Sequence, residues 1–363
     1  THAQIVANIS SIASCLELGP DDVGCSWLPL FHDMGLIGCL LTATYSMIDL
    51  LLMAPEEFMV DPSAWLQLIS NQGATICTAP NSAYALCAEK VDPLNNNISL
   101  NLESWRVAMN GSEMINASST RMFIEKFQRV GFRKGTMLPV YGLAEASLAV
   151  TFSPLGSEMK TLVLSRNSLN RGFAVRAEKE NADLREVVSV GRPVTNTAVR
   201  IYDSTGIQLP DRAVGEIHVR GQSVMMGYEA DKGSTDSAFR TRDWLRTGDL
   251  GFMEDGELYV TGRLKDILIV RGKNYYTHDV EMLVSRVEGV WMHNSVAISV
   301  QSDLTEELVV MVESRLRTED QYYAMKAAIR ESLSDTLGVT PSDIVVVKPG
   351  DLPRTSSGKL ERF

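Results

Sequence analysis

Apolar residues recur at Ile5, Ile9, Ile12 and Leu16, at spacings of four, three and four, and the run stops at Gly19-Pro20. That is the period of a helix with one buried face, closed by residues that end helices. Helical and extended patterns then alternate: helical over 35–45, 64–71, 81–91 and 118–127, extended over 74–78 and 105–110. The alternation predicts a layered α/β domain on a largely parallel sheet. Between Val187 and Val260 the runs become short and β-rich, as at 199–202 and 216–220, with turns such as Asp255-Gly256, so a β-subdomain is expected there. Beyond Gly262 the pattern predicts strands over 267–270, 295–299, 308–312 and 344–347 and helices over 279–287 and 322–336. That is an α+β unit of about 100 residues. The expected division is a large N-terminal domain over 1–264 and a small C-terminal domain over 265–363.

Composition narrows the function classes. The 363 residues are 45% hydrophobic and 22% charged, with a formal net charge of −11. Such a chain buries a sizeable core, and its negative field argues against a broad surface for nucleic acid or anionic lipid. The longest apolar stretch, 34–53, is interrupted by Gly38, Thr42, Thr44, Ser46 and Asp49, so it reads as buried helix and strand, with no membrane span. Five cysteines, all in the first quarter and without a C-x-x-C pair, suit reduced thiols in a cytoplasmic core. The five histidines lack metal-ligand spacing, which argues against a zinc site.

Several turns carry candidate chemistry. Tyr141-Gly142-Leu143-Ala144-Glu145 follows an extended run and precedes a helical one, where backbone N–H groups and a carboxylate can face phosphates and a metal ion. Asn110-Gly111-Ser112-Glu113 ends another strand, and ligands of open α/β sheets gather at such strand ends. Thr247-Gly248-Asp249 places a carboxylate between β-elements, where its two oxygens can accept from vicinal hydroxyls or simply cap a turn. Gly262-Arg263-Leu264-Lys265-Asp266 is a charged connector between apolar strands, a hinge or merely an exposed link. Leu352-Pro353-Arg354-Thr355-Ser356-Ser357-Gly358-Lys359 presents one lysine on a loop of small residues, able to meet an anion.

These segments, in this order and together with Phe31-His32-Asp33-Met34-Gly35, resemble the adenylate-forming superfamily of acyl-CoA synthetases, peptide-synthetase adenylation domains and luciferases. Ala79-Pro80-Asn81-Ser82-Ala83-Tyr84, Arg271-Gly272-Lys273-Asn274-Tyr275-Tyr276 and the longer Leu28 to Gly38 segment resemble fatty acyl-AMP ligases in particular. The 44 residues 147–190, between Ala146 and Gly191, are similar to the stretch in which those ligases carry an insertion.

The resemblance implies the α/β fold with a mobile α+β C-terminal domain, and an activity: fatty acid and ATP, with Mg²⁺, give acyl-AMP and pyrophosphate, and the acyl group passes to an acyl carrier protein. It also implies roles. Asn110, Gly111, Ser112, Glu113, Tyr141, Gly142, Leu143 and Ala144 bound the nucleotide; Asp249 takes the ribose hydroxyls; Arg263 assists at the ribose or α-phosphate. Glu145 holds the metal, Lys359 bridges carboxylate and phosphate, and Lys265 is the hinge about which the C-terminal domain swings. His32 sits at the mouth of an acyl site lined by Asp33, Met34, Gly35, Ile37, Asn81 and Tyr84, unless it is a buried structural histidine. A polyketide or peptide synthetase context is a further implication. Two departures stand out: the chain has no T-S-G-S-T-G-type phosphate loop, and Tyr276-Thr277-His278-Asp279 replaces Tyr-Pro-x-Asp. The chain is accordingly expected to be cut at both ends and weak or inactive alone. An acyl-CoA ligase and a non-catalytic lipid-binding or interaction module are the alternatives.

Overall fold

The computed structural model describes residues 1–94, 99–177, 184–241, 243–270, 273–301 and 306–353. It divides into two units, Thr1–Leu164 with Glu186–Thr261, and Ser165–Arg185 with Gly262–Phe363.

The first unit is built on a sheet whose early strands are β1 (Val23–Ser26), β2 (Asp49–Leu52), β3 (Ile76–Pro80), β4 (Val107–Gly111), β5 (Met137–Gly142) and β6 (Ala149–Phe152). Their order is β2-β1-β3-β4-β5-β6, closed by the short strand Arg192–Pro193. The first five run parallel; β6 runs antiparallel to β5, and Arg192–Pro193 runs antiparallel to β6. Both faces are covered, which is why the strands read as nearly continuous apolar runs. Successive residues point to opposite sides. Cys77, Ala108 and Met137 enter one core with an aromatic cluster of Trp27, Phe58, Trp65, Tyr84, Trp105 and Phe123. Ile76, Val107, Met109 and Leu138 enter the other, against Ile12 and Leu16 of the helix His2–Cys15. That helix is closed by a capping box of Thr1 and Gln4. None of the cysteines is in a disulfide, and burial pushes the Cys39 thiol up to about 11.

The helix expected over 35–45 forms, but as a π-helix, Met34–Leu41, that continues as the α-helix Thr42–Ser46. π-Geometry is rare and needs local reasons. Asp33 caps the first N–H, and the Thr42 hydroxyl bonds the Ile37 carbonyl five residues back at 2.7 Å. Gly35 lies so close to Leu28 and Pro29 that a Cβ would stand 2.3 Å from the Pro29 carbonyl oxygen.

The β-subdomain pairs the strands Thr197–Tyr202, Gly215–Gly221, Phe239–Thr241, Trp244–Glu254 and Glu257–Arg263. In the second unit, Val290–Gln301, Glu306–Ser314 and Asp343–Val347 form a sheet that is antiparallel, then parallel. The helices Thr277–Val284 and Glu319–Leu337 supply Val280, Val284, Met325, Ile329 and Leu333 to its core. The helix after Tyr276 starts at Thr277, so the position usually held by proline serves as an ordinary first helical residue.

Residues 165–185 of the second unit bring Arg166 and Arg185 to Asp279. Arg166 Nη1 lies 2.7 Å from Asp279 Oδ2 and Arg185 Nε lies 3.3 Å from Oδ1, with all three side chains buried. The Arg185 guanidinium also covers the Tyr276 ring at 4.5 Å. Removing one partner of such a cluster strands a buried charge. Asp279→Ala is therefore expected to destabilise this unit by about 3–5 kcal/mol in denaturant titration.

In the first unit, Arg106 Nε and Nη2 each reach an oxygen of Asp22 at 2.7 Å, and Thr75 Oγ1 and the Gly19 amide donate to the same carboxylate. Burial raises the Asp22 pKa, but Arg106 and these donors outweigh it and hold the carboxyl below its ordinary value. A depressed folded pKa means stability present above the unfolded pKa of about 4 and lost as pH falls through the folded value. Asp22→Asn should flatten the acid limb of stability below about pH 4 while lowering stability at neutral pH. An unchanged acid limb would remove Asp22 from that account.

Candidate functional site

Two of the turns expected to carry chemistry lie at the carboxyl ends of β4 and β5. Gly111 is glycine because β5 passes directly over it: a Cβ would stand 2.7 Å from Val140 Cγ2 and 3.1 Å from the Val140 carbonyl oxygen. Ser112 follows at φ +67, bending the chain out of the sheet. Asn110 is fully buried, and its Nδ2 lies 3.4 Å from both Asn81 Oδ1 and Thr120 Oγ1. Asn81 Oδ1 also accepts from the Asn116 amide and from Thr120 Oγ1. Glu113 accepts from the backbone amide and hydroxyl of Ser82 at 2.9 and 3.0 Å. Asn81 and Glu113 thus tie the strand-end turn to the start of the helix Asn81–Lys90.

β5 ends at Tyr141 and Gly142. The helical run expected next does not form. A single 3₁₀ turn, Ala144–Ala146, is followed by the antiparallel strand β6. The Leu143 amide donates to the Leu148 carbonyl at 2.9 Å, closing a tight loop, and a Cβ on Gly142 would collide with that carbonyl oxygen. Glu145 sits half-exposed on this turn.

Tyr141 Oη donates to Asp249 Oδ2 at 2.7 Å. Asp249 is buried, and its amide donates to Thr247 Oγ1 at 3.0 Å, while the Thr247 hydroxyl donates to the Ile217 carbonyl. The turn expected between β-elements is a bulge inside the strand Trp244–Glu254. Glu216 pairs with Leu250 and His218 with Arg246, so Thr247, Gly248 and Asp249 all oppose Ile217. Bulges of this kind re-aim side chains next to functional sites.

Arg246 at the start of the bulge lies 3.0 Å from Glu216 Oε2, which also faces His218 Nε2 at 3.1 Å. Burial raises the Glu216 pKa, yet the His218 and Arg246 contacts more than offset it and hold the carboxyl low. Tyr228 Oη donates to Glu145 Oε1 at 2.9 Å. Burial and that carboxylate together push the Tyr228 phenol up to about 12. Neither Glu216 nor Tyr228 stood out in the sequence, since each acts on a residue far away along the chain.

His32 is partly exposed, its Nδ1 2.6 Å from Asp33 Oδ1 and 3.2 Å from the Met34 amide. Met34 and Gly35 are buried and Ile37 half-buried along the π-helix. Tyr84 is fully buried, edge-on to Phe123 with its hydroxyl on the Met109 carbonyl, and Asn81 is held in the amide network above. In the second unit, Arg263 and Lys265 are exposed on and beside the 3₁₀ turn Leu264–Asp266, and Gly262 leaves room for the Tyr276 ring. Lys359 lies outside the described residues, as do Arg271 and Gly272. Within the first unit, the described residues therefore join Tyr141 to Asp249 and Glu145 to Tyr228.

The profile of AMP-binding enzymes matches residues 1–229, and that of the AMP-binding enzyme C-terminal domain matches 272–363. The chain belongs to the AMP-binding, adenylate-forming enzyme family. It is 34% identical over 377 residues to the medium-chain-fatty-acid–[acyl-carrier-protein] ligase JamA of Moorena producens, covering 100% of this chain and 63% of that one. It is 32% identical over 383 residues to the long-chain-fatty-acid–AMP ligase FadD26 of Mycobacterium tuberculosis, covering 100% and 65%. A solved structure from studies of fatty acyl-adenylate ligases from E. coli and L. pneumophila superimposes with a TM-score of 0.92 at 35% identity, covering 100% of this chain and 64% of that one. The chain thus spans a little under two thirds of the length of these relatives.

The π-helix gives a direct test of local packing. Gly35→Ala is expected to cost about 1–3 kcal/mol, because the added methyl meets backbone that cannot rotate away. Gly19→Ala is the control, since nothing lies within 4 Å of a Cβ there. Equal melting temperatures for the two variants would contradict the packing argument.

Proposed function

We propose that the chain is the larger part of an ATP-dependent ligase that joins a fatty acid to AMP, releases pyrophosphate and passes the acyl group to the phosphopantetheine thiol of an acyl carrier protein. The observation that carries the reading is the Tyr141–Asp249 hydrogen bond, which joins the end of β5 to the bulge of the β-subdomain and so unites two segments assigned to one nucleotide. The names of the relatives support a fatty acid as substrate, and JamA supports a carrier protein as acceptor.

In this reading the nucleotide lies over the ends of β4 and β5. Gly111 and Ser112 offer backbone to the adenine. Tyr141 fixes the Asp249 carboxylate in one orientation for the ribose hydroxyls. Adenylation needs no proton from the protein: a carboxylate oxygen attacks the α-phosphorus and pyrophosphate departs. The demand is for orientation and for positive charge around the phosphorus. Lys359 is assigned one such charge, and Arg263 assists.

The residues present also fit Mg²⁺. Among the described residues no three His, Cys, Asp or Glu side chains cluster as a metal cage. A single half-exposed carboxylate, Glu145, beside a phosphate site is the arrangement in which Mg²⁺ is shared with substrate phosphates. When bound, the ion would neutralise phosphate charge. His32, held by Asp33, is assigned to the mouth of the acyl site, and Lys265 to the hinge.

The full-length protein should catalyse fatty-acid-dependent exchange of pyrophosphate into ATP, and Lys359→Ala should reduce adenylation by about 10²-fold or more. Given ATP, a fatty acid and either carrier protein or coenzyme A, it should load the carrier protein. Efficient acyl-CoA formation would make it a CoA ligase. Absence of exchange would leave a lipid-binding module.

A further inference from the structure

The loop that leaves the strand Gly215–Gly221 closes over the turn bearing Glu145, and it does so at three points. The Met225 amide donates to the Glu145 carbonyl at 2.7 Å, Ser147 Oγ donates to the Ser223 carbonyl at 2.9 Å, and Tyr228 Oη donates to Glu145 Oε1 at 2.9 Å. The first two fix the backbone of the turn, including Ser147, whose φ of +66 and ψ of −57 only a restrained residue keeps. The third fixes the carboxylate.

Tyr228 is itself held. Its amide donates to Thr235 Oγ1 at 2.8 Å, and the Thr235 hydroxyl donates to the Asp231 carbonyl at 2.8 Å. Thr235 lies in the helix Lys232–Ala238, whose start Asp231 caps through the Ser234 amide. A capped helix thus anchors a threonine, the threonine anchors the tyrosine backbone, and the phenol reaches the carboxylate 83 residues earlier in the chain. Tyr228 remains 42% exposed. A core role does not account for so much held structure around a half-exposed phenol.

We propose that Tyr228 is the positioning residue for Glu145, holding one carboxylate oxygen so that the other faces a divalent cation carried by the nucleotide's phosphates, with Thr235 setting the position of Tyr228. This rests on the reading of Glu145 under Proposed function. A partner that donates to a ligating carboxylate fixes its orientation, and loss of such a partner commonly lowers metal affinity 10- to 100-fold. No proton transfer or covalent step by Tyr228 is invoked.

The test uses the full-length protein and two readouts. Manganese binding in the presence of a non-hydrolysable ATP analogue is followed by electron paramagnetic resonance, and the Mg²⁺ dependence of fatty-acid-dependent pyrophosphate exchange is measured separately. Tyr228→Phe should weaken manganese binding about 10-fold and raise half-saturating Mg²⁺ about as much, with exchange largely restored at saturating Mg²⁺. Thr235→Val should shift both in the same direction by less, and Thr235→Ser should leave them near wild type. Wild-type manganese affinity in Tyr228→Phe would overturn the proposal. So would an exchange defect that excess Mg²⁺ leaves unchanged, or wild-type manganese affinity in Glu145→Gln. If the wild-type protein binds manganese with the analogue but shows no exchange, the proposed reaction falls, while the manganese titration of Tyr228→Phe still decides the role of Tyr228.

Discussion

One hydrogen bond, from Tyr141 Oη to Asp249 Oδ2, ties together parts of the chain that fold for different reasons. Tyr141 is where it is because β5 runs parallel to β4 inside a sheet covered on both faces. Asp249 is where it is because three residues must fit opposite one in the strand Trp244–Glu254. Neither constraint refers to the other. Their meeting places a carboxylate of the β-subdomain at the open end of the α/β sheet, and the nucleotide reading depends on that meeting.

The surrounding structure mostly serves to keep these ends still. Glycines at 111 and 142 allow neighbouring backbone to pass where any side chain would collide. The Asn81, Asn110 and Thr120 side chains bond one another at the β4 turn, with Asn110 Oδ1 left without a partner among the described residues, and Glu113 uses both oxygens on Ser82. Such networks cost free energy unless their members find partners, and once satisfied they specify one arrangement. The loop around Ser223, Met225 and Tyr228 restrains the Glu145 turn.

The second unit shows the same economy at Asp279. Residues 165–185 are far in sequence from the helix Thr277–Val284, yet Arg166 and Arg185 meet there on one buried carboxylate. Three charged side chains out of water are tolerable because each is paired, and Arg185 adds the face of Tyr276. Thr277 is the first residue of that helix, a position at which proline is also tolerated.

Much of this was legible in the chain. Helical spacing at Ile5, Ile9, Ile12 and Leu16, the apolar runs of β3 and β4, and the change to short strands after Val187 gave the layered fold and its β-subdomain, since burial of a face imposes a period on the residues that line it. The ordered segments gave the family, because each turn must present particular residue types. Spacing could not announce the π-helix at Met34–Leu41, the bulge at Thr247–Asp249 or the strand after Glu145. Each is decided by what a neighbouring segment leaves room for: the Pro29 carbonyl over Gly35, Ile217 opposite the bulge, Leu148 against Gly142. Nor could it pair Tyr228 with Glu145, Glu216 with Arg246, or Arg166 with Asp279. A sequence determines which faces must be buried and which turns can form; which distant side chains then come within hydrogen-bonding reach is settled only when those faces pack.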